Sequence, residues 1–512
     1  MSEIRQVVMP KQIPFIIANE GCERFSFYGM RNILTVFLMT SLLLAIPEPL
    51  RKGEAKDVFH TFVIGVYFFP LLGGWLADRF FGKYKTILCL SLVYCAGHAC
   101  LAIFENNLRG FYAGLFLIAL GSGGIKPLVS SFVGDLFDQS NRSLAQKVFD
   151  AFYWIINLGS FFASLLMPLF LKHWGAKFAF GIPGVLMLIA TMVFWMGRHR
   201  YIHIAPEKNN PHSFLKVLMS ALKPSKAGLG PGSCLALAGV FLALAVLTQM
   251  SRLGIVAALC LALVLIMGLV GWGAHLQLDR ARAHHPQAAI DGARSVLRIL
   301  VLFALVTPFW SLFDQKASTW ILQADQMGKP DWFESSMMQS LNPALVMILI
   351  PFNNFVLYPF LARVGLRITP LRRMGSGIAF TGVAWIVVGT IQLYMDNGNQ
   401  LNILWQMLPY ALMTMGEVLV SATGLEFAYS QAPLAMKGVI TSFWNLTTTV
   451  GNLWVLLANT TVKSEAVSQK IQTTGISVTA FQMLFFAAFA LVAAACFALA
   501  ASHYTMQDQY RE

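Results

Sequence analysis

Long apolar runs constrain this chain more than any other feature of its sequence. Hydrophobic residues make up 57% of its 512 residues and charged residues only 12%, far below the roughly 25% of charged residues in a soluble domain. Many runs reach about 20 residues, the length that a helix needs to cross a bilayer. They lack the alternating polarity of barrel strands. We therefore predict an all-α protein that crosses the membrane many times.

The apolar runs predict fourteen membrane spans. Six spans come first, an inserted pair follows, and six more spans complete the series. A polar linker at 198–233 precedes the pair, and a basic connector at 279–298 follows it. The predicted domains are an N-terminal six-helix bundle (1–200), a linker with an inserted transmembrane hairpin (201–293) and a C-terminal six-helix bundle (294–512). The spans cover 14–46, 58–79, 85–104, 110–133, 147–170, 178–197, 234–250, 254–276, 299–324, 337–361, 374–395, 401–430, 437–460 and 479–502.

The net charge of +13 follows from membrane topology. Nucleic-acid binding is disfavoured, because the chain contains no basic aromatic module. If both termini lie inside, Lys and Arg show a more than two-to-one excess on that side, as the positive-inside rule requires. We expect a multi-pass protein of the cell (inner) membrane with both termini cytoplasmic. No cleavable signal peptide is expected, since the first apolar run is too long and carries charges.

The seven cysteines all lie in apolar runs without metal-ligand spacing. This pattern indicates small buried hydrophobic residues rather than disulfides or a metal site. The sequence also lacks an HExxH zinc motif and a GxSxG nucleophile turn. We therefore expect no metal, no cofactor and no enzymatic activity, and an integral membrane peptidase or acyltransferase is disfavoured.

Four charged residues interrupt the first predicted span. Each charge at mid-bilayer would cost about 2.5–3.5 kcal/mol, so these side chains should be paired and should face a wet cavity. On a helix, one face of this stretch carries Glu20, Arg24, Phe27, Tyr28 and Arg31, with Glu23 at its edge.

Lys126 is the next charge within a predicted span, in Gly121-Ser-Gly-Gly124-Ile-Lys126-Pro127. A phosphate-binding loop would follow a strand, whereas small residues in a membrane span allow close helix approach. We therefore expect Lys126 to lie against a neighbouring helix, with Glu20 or Glu23 as its partner.

Three further polar residues of the first half are candidates for function. His60 lies at the outer end of span two, where it either titrates near neutral pH or is an interfacial histidine. Tyr67 lies two turns further along on the same face. Asn157 in span five is a buried amide that either contacts substrate or joins two helices.

The second half brings acidic residues into its spans. Asp314 lies one turn after Trp310 and shares its face, and Glu417 lies in the middle of span ten. The basic residues of the first half and these acids suit a zwitterion, with its carboxylate on one side and its ammonium on the other. Other candidates are Asn342 at a proline-kinked helix start, Trp444 as a packing residue, and Glu426 as a structural residue near the inner surface.

The loop between spans two and three resembles a superfamily motif. Gly74-Trp-Leu-Ala-Asp78-Arg79-Phe-Phe-Gly82-Lys83-Tyr-Lys85 is similar to the GxLaDrxGrk loop of the major facilitator superfamily. The two predicted six-helix halves agree with the plan of that superfamily. The resemblance implies the major facilitator fold, with 12 core helices and an inserted two-helix hairpin, 14 helices in total.

Several motifs resemble one family within that superfamily. The stretch Glu20-x-x-Glu23-Arg24-Phe-x-Phe27-Tyr28-Gly is similar to the ExxERFxYYG signature of proton-dependent oligopeptide transporters (POT/PTR). Phe152-Tyr153-x-x-Ile156-Asn157-x-Gly159-Ser160 looks like its second signature. Asp314-Gln, Gln339-Ser-Leu-Asn-Pro and Gly424-Leu-Glu-Phe-Ala-Tyr-Ser-Gln-Ala-Pro433 also match. The inserted pair resembles the extra helices of bacterial members.

We expect a monomer surrounded by membrane lipid. The resemblance implies symport of di- and tripeptides with protons by alternating access. It implies proton coupling at Glu20, Glu23, Arg24, Lys126 and His60. It implies a gating salt bridge between Arg31 and Asp314. It implies substrate binding at Arg24, Tyr28, Arg31, Tyr67, Lys126, Asn157, Trp310, Asn342, Glu417 and Trp444.

Two residues depart from the family pattern. Phe27 replaces the first tyrosine of the signature, so we expect one pocket hydroxyl to be lost. Lys316 stands where relatives commonly have a neutral residue. On a continuous helix Lys316 points about 200° away from Asp314, so we expect it to lie outside the same cavity.

Two alternatives remain on the same scaffold. One is a carrier of nitrate, another organic anion or a peptide-like compound, which Glu417 disfavours because an anion needs no acidic partner. The other is a passive channel, which would not accumulate a peptide against its gradient.

Overall fold

The computed structural model of the chain describes residues 10–134, 142–201, 211–224, 228–366, 368–431 and 436–504. These residues are almost entirely helical, and their strand-like pairing is an isolated bridge between Gly328 and Asn402. In lipid, a helix satisfies all its backbone hydrogen bonds internally. The predicted all-α class is therefore confirmed.

Ten helical segments of the described residues are long and apolar enough to cross a membrane. A shorter apolar helix covers Pro231–Leu247. The first helix, Ile13–Phe37, is also long enough to cross a membrane. It is not among the ten segments, because it carries the four charged residues noted above. Each predicted span overlaps a helix in chain order, and the exact count of fourteen membrane crossings stays a prediction.

The chain divides into two compact units. Unit 1 comprises Met1–Lys208, Gln315–Pro359 and Asn399–Thr414, and unit 2 comprises Asn209–Asp314, Phe360–Gly398 and Met415–Glu512. The three predicted domains with boundaries at 200 and 293 stay a prediction.

The helices of unit 1 follow the predicted spans. The first seven are α1 Ile13–Phe37, α2 Glu48–Phe68, α3 Pro70–Leu76, α4 Gly82–Ile103, α5 Leu108–Gly134, α6 Arg142–Trp174 and α7 Ala176–Met196. Two later helices of the chain also belong to this unit. They are α13 Thr319–Asp325 and α14 Leu341–Phe352.

Unit 2 contains the inserted pair and most of the later helices. They are α8 Phe214–Leu222, α9 Pro231–Leu247, α10 Met250–Leu253, α11 Ile255–Leu276, α12 Gln287–Asp314, α16 Pro370–Asp396, α18 Lys437–Val462, α19 Glu465–Gln472 and α20 Val478–Ser502. Two helices, α15 Tyr358–Arg363 and α17 Met407–Gln431, contribute residues to both units.

Helix α12 differs from its predicted span. It begins at Gln287, within the predicted connector, and ends at Asp314, where a 3-10 turn covers Gln315–Ala317. The continuous α-helix assumed for Lys316 is therefore wrong, and its expected position outside the cavity of Asp314 stays a prediction. Lys316 is 3% exposed and lies within unit 1.

Glycines bring the helices of unit 1 into backbone contact. A Cβ on Gly73 of α3 would lie 2.1 Å from the carbonyl oxygen of Gly124, and one on Gly123 would lie 2.5 Å from that of Val66. The predicted close helix approach next to Lys126 is therefore confirmed. Between α1 and α6, a Cβ on Gly159 would lie 3.0 Å from the oxygen of Gly21. The last of these contacts brings α1 and α6 close together next to Glu20.

Backbone contacts of the same kind organise unit 2. A Cβ on Gly232 of α9 would lie 2.1 Å from the oxygen of Gly273 in α11, so the two helices of the inserted hairpin touch. A Cβ on Gly416 of α17 would lie 2.7 Å from the oxygen of Gly377 in α16. The second contact positions the turn of α17 that carries Glu417.

Candidate functional site

A buried ion cluster occupies the middle of α1. Arg24 Nε donates a hydrogen bond to Glu20 Oε1 at 2.6 Å and lies 3.1 Å from Glu23 Oε2. The three residues are 7%, 1% and 2% exposed. Three of the four charged residues of α1 are therefore paired with one another, and the expected contact of these acids with Lys126 stays a prediction. Since two carboxylates share one guanidinium, the cluster carries a net negative charge when both are ionised.

Glu23 is the less fully bonded of the two acids. Ser122 of α5 donates a hydrogen bond to Glu23 Oε1 at 3.3 Å. Glu23 Oε2 accepts no hydrogen bond from the described residues, although it lies close to Arg24. A buried carboxylate oxygen without a donor raises the free energy of the ionised form.

Lys126 lies between two aromatic rings. Its ammonium nitrogen is 4.3 Å from the ring centroid of Phe27 and 4.4 Å from that of Tyr67. Its charge also acts on Glu23. Phe27 is 2% exposed, so the side chain at this departure from the family pattern supports the lysine rather than lining an open pocket. The aromatic faces stabilise the ammonium without neutralising it.

Under the peptide binding that the sequence resemblance implies, we expect Phe27→Leu to weaken binding of the peptide about two- to thirtyfold. The leucine removes one of the two aromatic faces at Lys126, a cation–π contribution of about 0.5–2 kcal/mol. The measurement is the apparent affinity for a dipeptide in proton-driven uptake. Phe62→Leu is the matched control, because Phe62 stacks on Phe27 at 6.3 Å and is also buried. An equal loss in both variants would contradict the assignment.

Arg31 and His60 each contact a residue of unit 1. The Arg31 guanidinium carbon lies 5.3 Å from the ring centroid of Phe59. His60 is fully buried, and its Nε2 is 3.0 Å from Ser318 Oγ. Full burial disagrees with the interfacial alternative for His60. The predicted Arg31–Asp314 gate stays a prediction, since Asp314 belongs to unit 2.

Three further candidates of unit 1 make contacts of their own within that unit. Tyr28 contacts Phe27 edge to face, with ring centroids 5.4 Å apart. Asn157 donates to the Tyr153 oxygen at 2.9 Å, so its amide is used within α6. Asn342 donates to Thr414 Oγ1 at 3.1 Å.

The candidate residues of unit 2 are two aromatic residues, Trp310 and Trp444, and two acidic residues, Asp314 and Glu417. The rings of Trp310 and Trp444 are 6.1 Å apart at 76°. Gly424 makes room for Trp444, because a Cβ there would lie 2.1 Å from the indole. The Trp310 Nε1 group is buried and has no hydrogen-bond partner among the described residues. It is therefore a free donor next to two aromatic faces.

Asp314 is held by a residue that the sequence reasoning missed. Asn452 of α18 donates to Asp314 Oδ2 at 2.7 Å and to the Thr448 oxygen at 2.9 Å. Both Asp314 and Asn452 are buried. A polar stripe along α18 could have revealed this residue, since Thr441, Asn445, Thr448 and Asn452 recur at intervals of three and four.

Glu417 is half-buried on α17, one residue after the Gly416–Gly377 contact. Glu426, on the same helix, is exposed, and its structural role stays a prediction. The motif that ends in Pro433 is described as far as Gln431, and its last two residues lie outside the described residues.

A second set of contacts joins the Gln315–Pro359 segment to the first helices of unit 1. Thr35 donates to the Ala317 oxygen at 2.8 Å, and Gln339 donates to the Asn32 oxygen at 3.2 Å. Lys172, at the end of α6, lies 2.7 Å from Glu334 Oε1 and donates to the Asp331 oxygen at 2.7 Å. Ser318 and Glu334 were not singled out in the sequence.

Within the described part of the chain, no group of three or more His, Cys, Asp or Glu side chains is arranged to hold a metal ion.

The chain matches a family profile over most of its length. The POT family profile, PTR2, matches residues 84–476. Peptide transporter 3 of Caenorhabditis elegans is 32% identical over 405 residues, which are 76% of this chain and 51% of that protein. The chain spans about half the length of the curated relatives it matches.

Solved structures match the chain over nearly its full length. The POT family transporter PepTSo, in an in meso crystal structure, is 71% identical with a TM-score of 0.96, and the match covers 98% of this chain and 100% of that one. An auto-inhibited POT family peptide transporter is 63% identical with a TM-score of 0.95, over 98% and 99% of the two chains. The helical membrane fold and the family profile lead to one conclusion: the chain belongs to the POT family of multi-pass membrane transporters.

Proposed function

We propose that the chain is a proton-coupled symporter that imports di- and tripeptides by alternating access. The observation that carries this proposal is the buried cluster in which Arg24 contacts both Glu20 and Glu23. Such a cluster can exchange a proton within the membrane span and thereby change how firmly its basic group is held.

Protonation of one carboxylate removes a negative charge from the cluster. The attraction that holds Arg24 then weakens, because only one ionised acid remains next to it. Arg24, or Lys126 between its two rings, becomes available to a carboxylate of the substrate. Proton binding and peptide binding are thus coupled through shared basic groups, and the coupling is reciprocal.

The two ends of the peptide bind to different residues in this proposal. Its carboxylate binds the basic residues Arg24, Arg31 and Lys126, and its amino end binds Glu417 with the amides Asn157 and Asn342. The aromatic residues Tyr28, Tyr67, Trp310 and Trp444 line the part between. A free donor on Trp310 is suited to a peptide carbonyl oxygen.

Gating uses bonds that form in one conformation and break in the other. We assign this role to the Arg31–Asp314 pair, to His60 with Ser318, and to the contacts of Lys172 with Glu334 and Asp331. His60 is part of proton coupling in this scheme, because its partner Ser318 lies on a gating segment. Each bond is a two-state element whose balance both ligands bias.

We also propose where the protein acts, in which oligomeric state and with which coupling ion. The protein acts in the cell (inner) membrane with both termini cytoplasmic, as a monomer surrounded by lipid. It is not an enzyme, and the proton is its coupling ion without any cofactor.

The deciding experiment uses purified protein in liposomes with an imposed pH gradient. We expect accumulation of labelled dipeptide and tripeptide above the external concentration, no accumulation of free amino acids, and loss of accumulation when a proton carrier collapses the gradient. Uptake that only equilibrates would indicate a channel, and recovery of cleaved peptide would indicate an enzyme. Competition by nitrate would favour the anion carrier.

Charge reversal tests the Lys172–Glu334 pair. We expect Lys172→Glu and Glu334→Lys each to lower the initial rate of dipeptide uptake roughly two- to fivefold. The effect is small because the side chains are 42% and 28% exposed. The double exchange should restore at least half of the lost rate. The control is Lys329→Gln, which removes a local pair with Asp325. If the double exchange behaves like the sum of the single variants, the pair has no gating role.

A further inference from the structure

A cavity of about 390 Å³ lies in unit 2, away from every residue assigned above. Helix α12 contributes Ser295, Arg298 and Val301 to its wall, and the end of α20 contributes His503 and Tyr504. Its volume falls in the lower part of the roughly 300–1,000 Å³ range of small-molecule sites. The cavity is large enough for a headgroup but too small for a whole lipid.

The polar side of the cavity is basic and rich in hydrogen-bond donors. Arg298 supplies a guanidinium and Tyr504 a hydroxyl group, whereas the hydroxyl of Ser295 donates to the Asp291 carbonyl oxygen at 3.0 Å. Burial raises the pKa of Tyr504 to about 12, and the charge of Arg298 partly opposes this rise. The phenol is therefore protonated at neutral pH and can donate. No acidic residue is among the described residues that line the cavity.

The nearby acids are already paired with other arginines. Asp279 accepts from Arg282 and Arg294 at 2.9 Å, and Asp291 accepts from Arg294 at 2.9 Å. Arg298 forms no ion pair or hydrogen bond with the residues that the structure describes. Its guanidinium is exposed and can form the bidentate contact with a phosphate group that this side chain favours.

The lining of the cavity also has an apolar part, formed by Val301, Leu302 and Ala500. Val301 lies one turn beyond Arg298 on the same face of α12, about 4.5 Å further along the helix axis, and is 59% exposed. Both α12 and α20 are long and apolar enough to cross a membrane. Basic residues and tyrosine next to an exposed aliphatic side chain are the arrangement expected where a span meets the headgroup layer.

We propose that this cavity binds the phosphate group of an anionic phospholipid, with Arg298 as the main contact and the acyl chains lying along Val301. Tyr504 donates a hydrogen bond to a phosphate oxygen. A soluble phosphate shares the charged contacts but gains nothing from the aliphatic side. The lipid is thus distinguished from the free anion by its chains.

The test uses the delipidated full chain in detergent and native mass spectrometry with added lipid. We expect phosphatidylglycerol to bind more tightly than phosphatidylcholine with the same acyl chains. Arg298→Gln should weaken phosphatidylglycerol binding about fivefold and leave phosphatidylcholine unchanged. The control is Arg252→Gln, which changes another exposed arginine, in the turn of the inserted hairpin. Equal elution and melting temperatures establish that both variants are folded.

Soluble competitors separate the two sources of phosphate. Inorganic phosphate and glycerol phosphate should displace short-chain phosphatidylglycerol only at much higher concentration than the unlabelled lipid does. Displacement at equal concentration would overturn the lipid assignment. Equal losses in Arg298→Gln and Arg252→Gln, or no preference for phosphatidylglycerol over phosphatidylcholine, would overturn the site.

Discussion

Glu417→Gln is expected to lower dipeptide uptake at least tenfold while the protein remains folded. In the proposed site the carboxylate binds the amino end of the peptide, and a hydrogen bond to a charged group contributes about 1.5–3 kcal/mol. Glutamine keeps the size of the side chain and removes its charge. Since Glu417 is half-buried and next to the Gly416–Gly377 contact, the isosteric change leaves the packing of α17 and α16 in place.

The measurements are initial uptake rates in liposomes and the melting temperature of the purified variant. Glu426→Gln is the matched control, since it removes the same charge from an exposed position of the same helix. We expect its uptake to equal that of the unmodified protein. Normal transport by Glu417→Gln would remove this residue from the binding site. For a peptide analogue without its amino group, the uptake rates of Glu417→Gln and of the unmodified protein should differ little.

Glu20→Gln and Glu23→Gln are each expected to abolish proton-driven accumulation. Either change leaves one carboxylate with Arg24 permanently, which imitates the protonated state of the cluster. Exchange of peptide across the membrane needs no proton movement, so counterflow between loaded and labelled peptide should persist. The predicted result is a final internal-to-external ratio near one under a pH gradient, with counterflow retained.

The control for these variants should remove one negative charge from an exposed position in the same half of the chain. Glu48→Gln serves this purpose, because Glu48 lies at the start of α2 with its side chain 72% exposed. It should accumulate peptide normally. Should both Glu20→Gln and Glu23→Gln still accumulate peptide against its gradient, the cluster would not be the coupling site. Loss of both counterflow and accumulation would instead indicate damage to the fold.

The arrangement on α1 could be predicted from the sequence because it depends on helix geometry alone. Glu20 and Arg24 are four residues apart, so one turn brings their side chains together, and the cost of an unpaired charge in lipid demands the contact. The helical fold followed in the same way from the length of the apolar runs. Both are properties of a single segment.

Contacts between segments could not be read from spacing. The rings of Phe27 and Tyr67 around Lys126, and the bond from Asn452 to Asp314, depend on how separate helices pack. The end of α12 at Asp314 also escaped prediction. No proline or glycine marks that position, and the 3-10 turn over Gln315–Ala317 is stabilised by its surroundings in unit 1. Lys316 was therefore assigned to the wrong geometry.

The backbone contact between Gly232 and Gly273 has a consequence for the order of folding. Helices α9 and α11 are close neighbours in the chain, so their pairing closes only a short loop. They can associate in the bilayer as soon as both have left the ribosome, before α12 and the later helices have emerged. A bulky residue at either glycine would separate this early pair, and the defect would appear as misinsertion during synthesis rather than as slower transport by the finished protein.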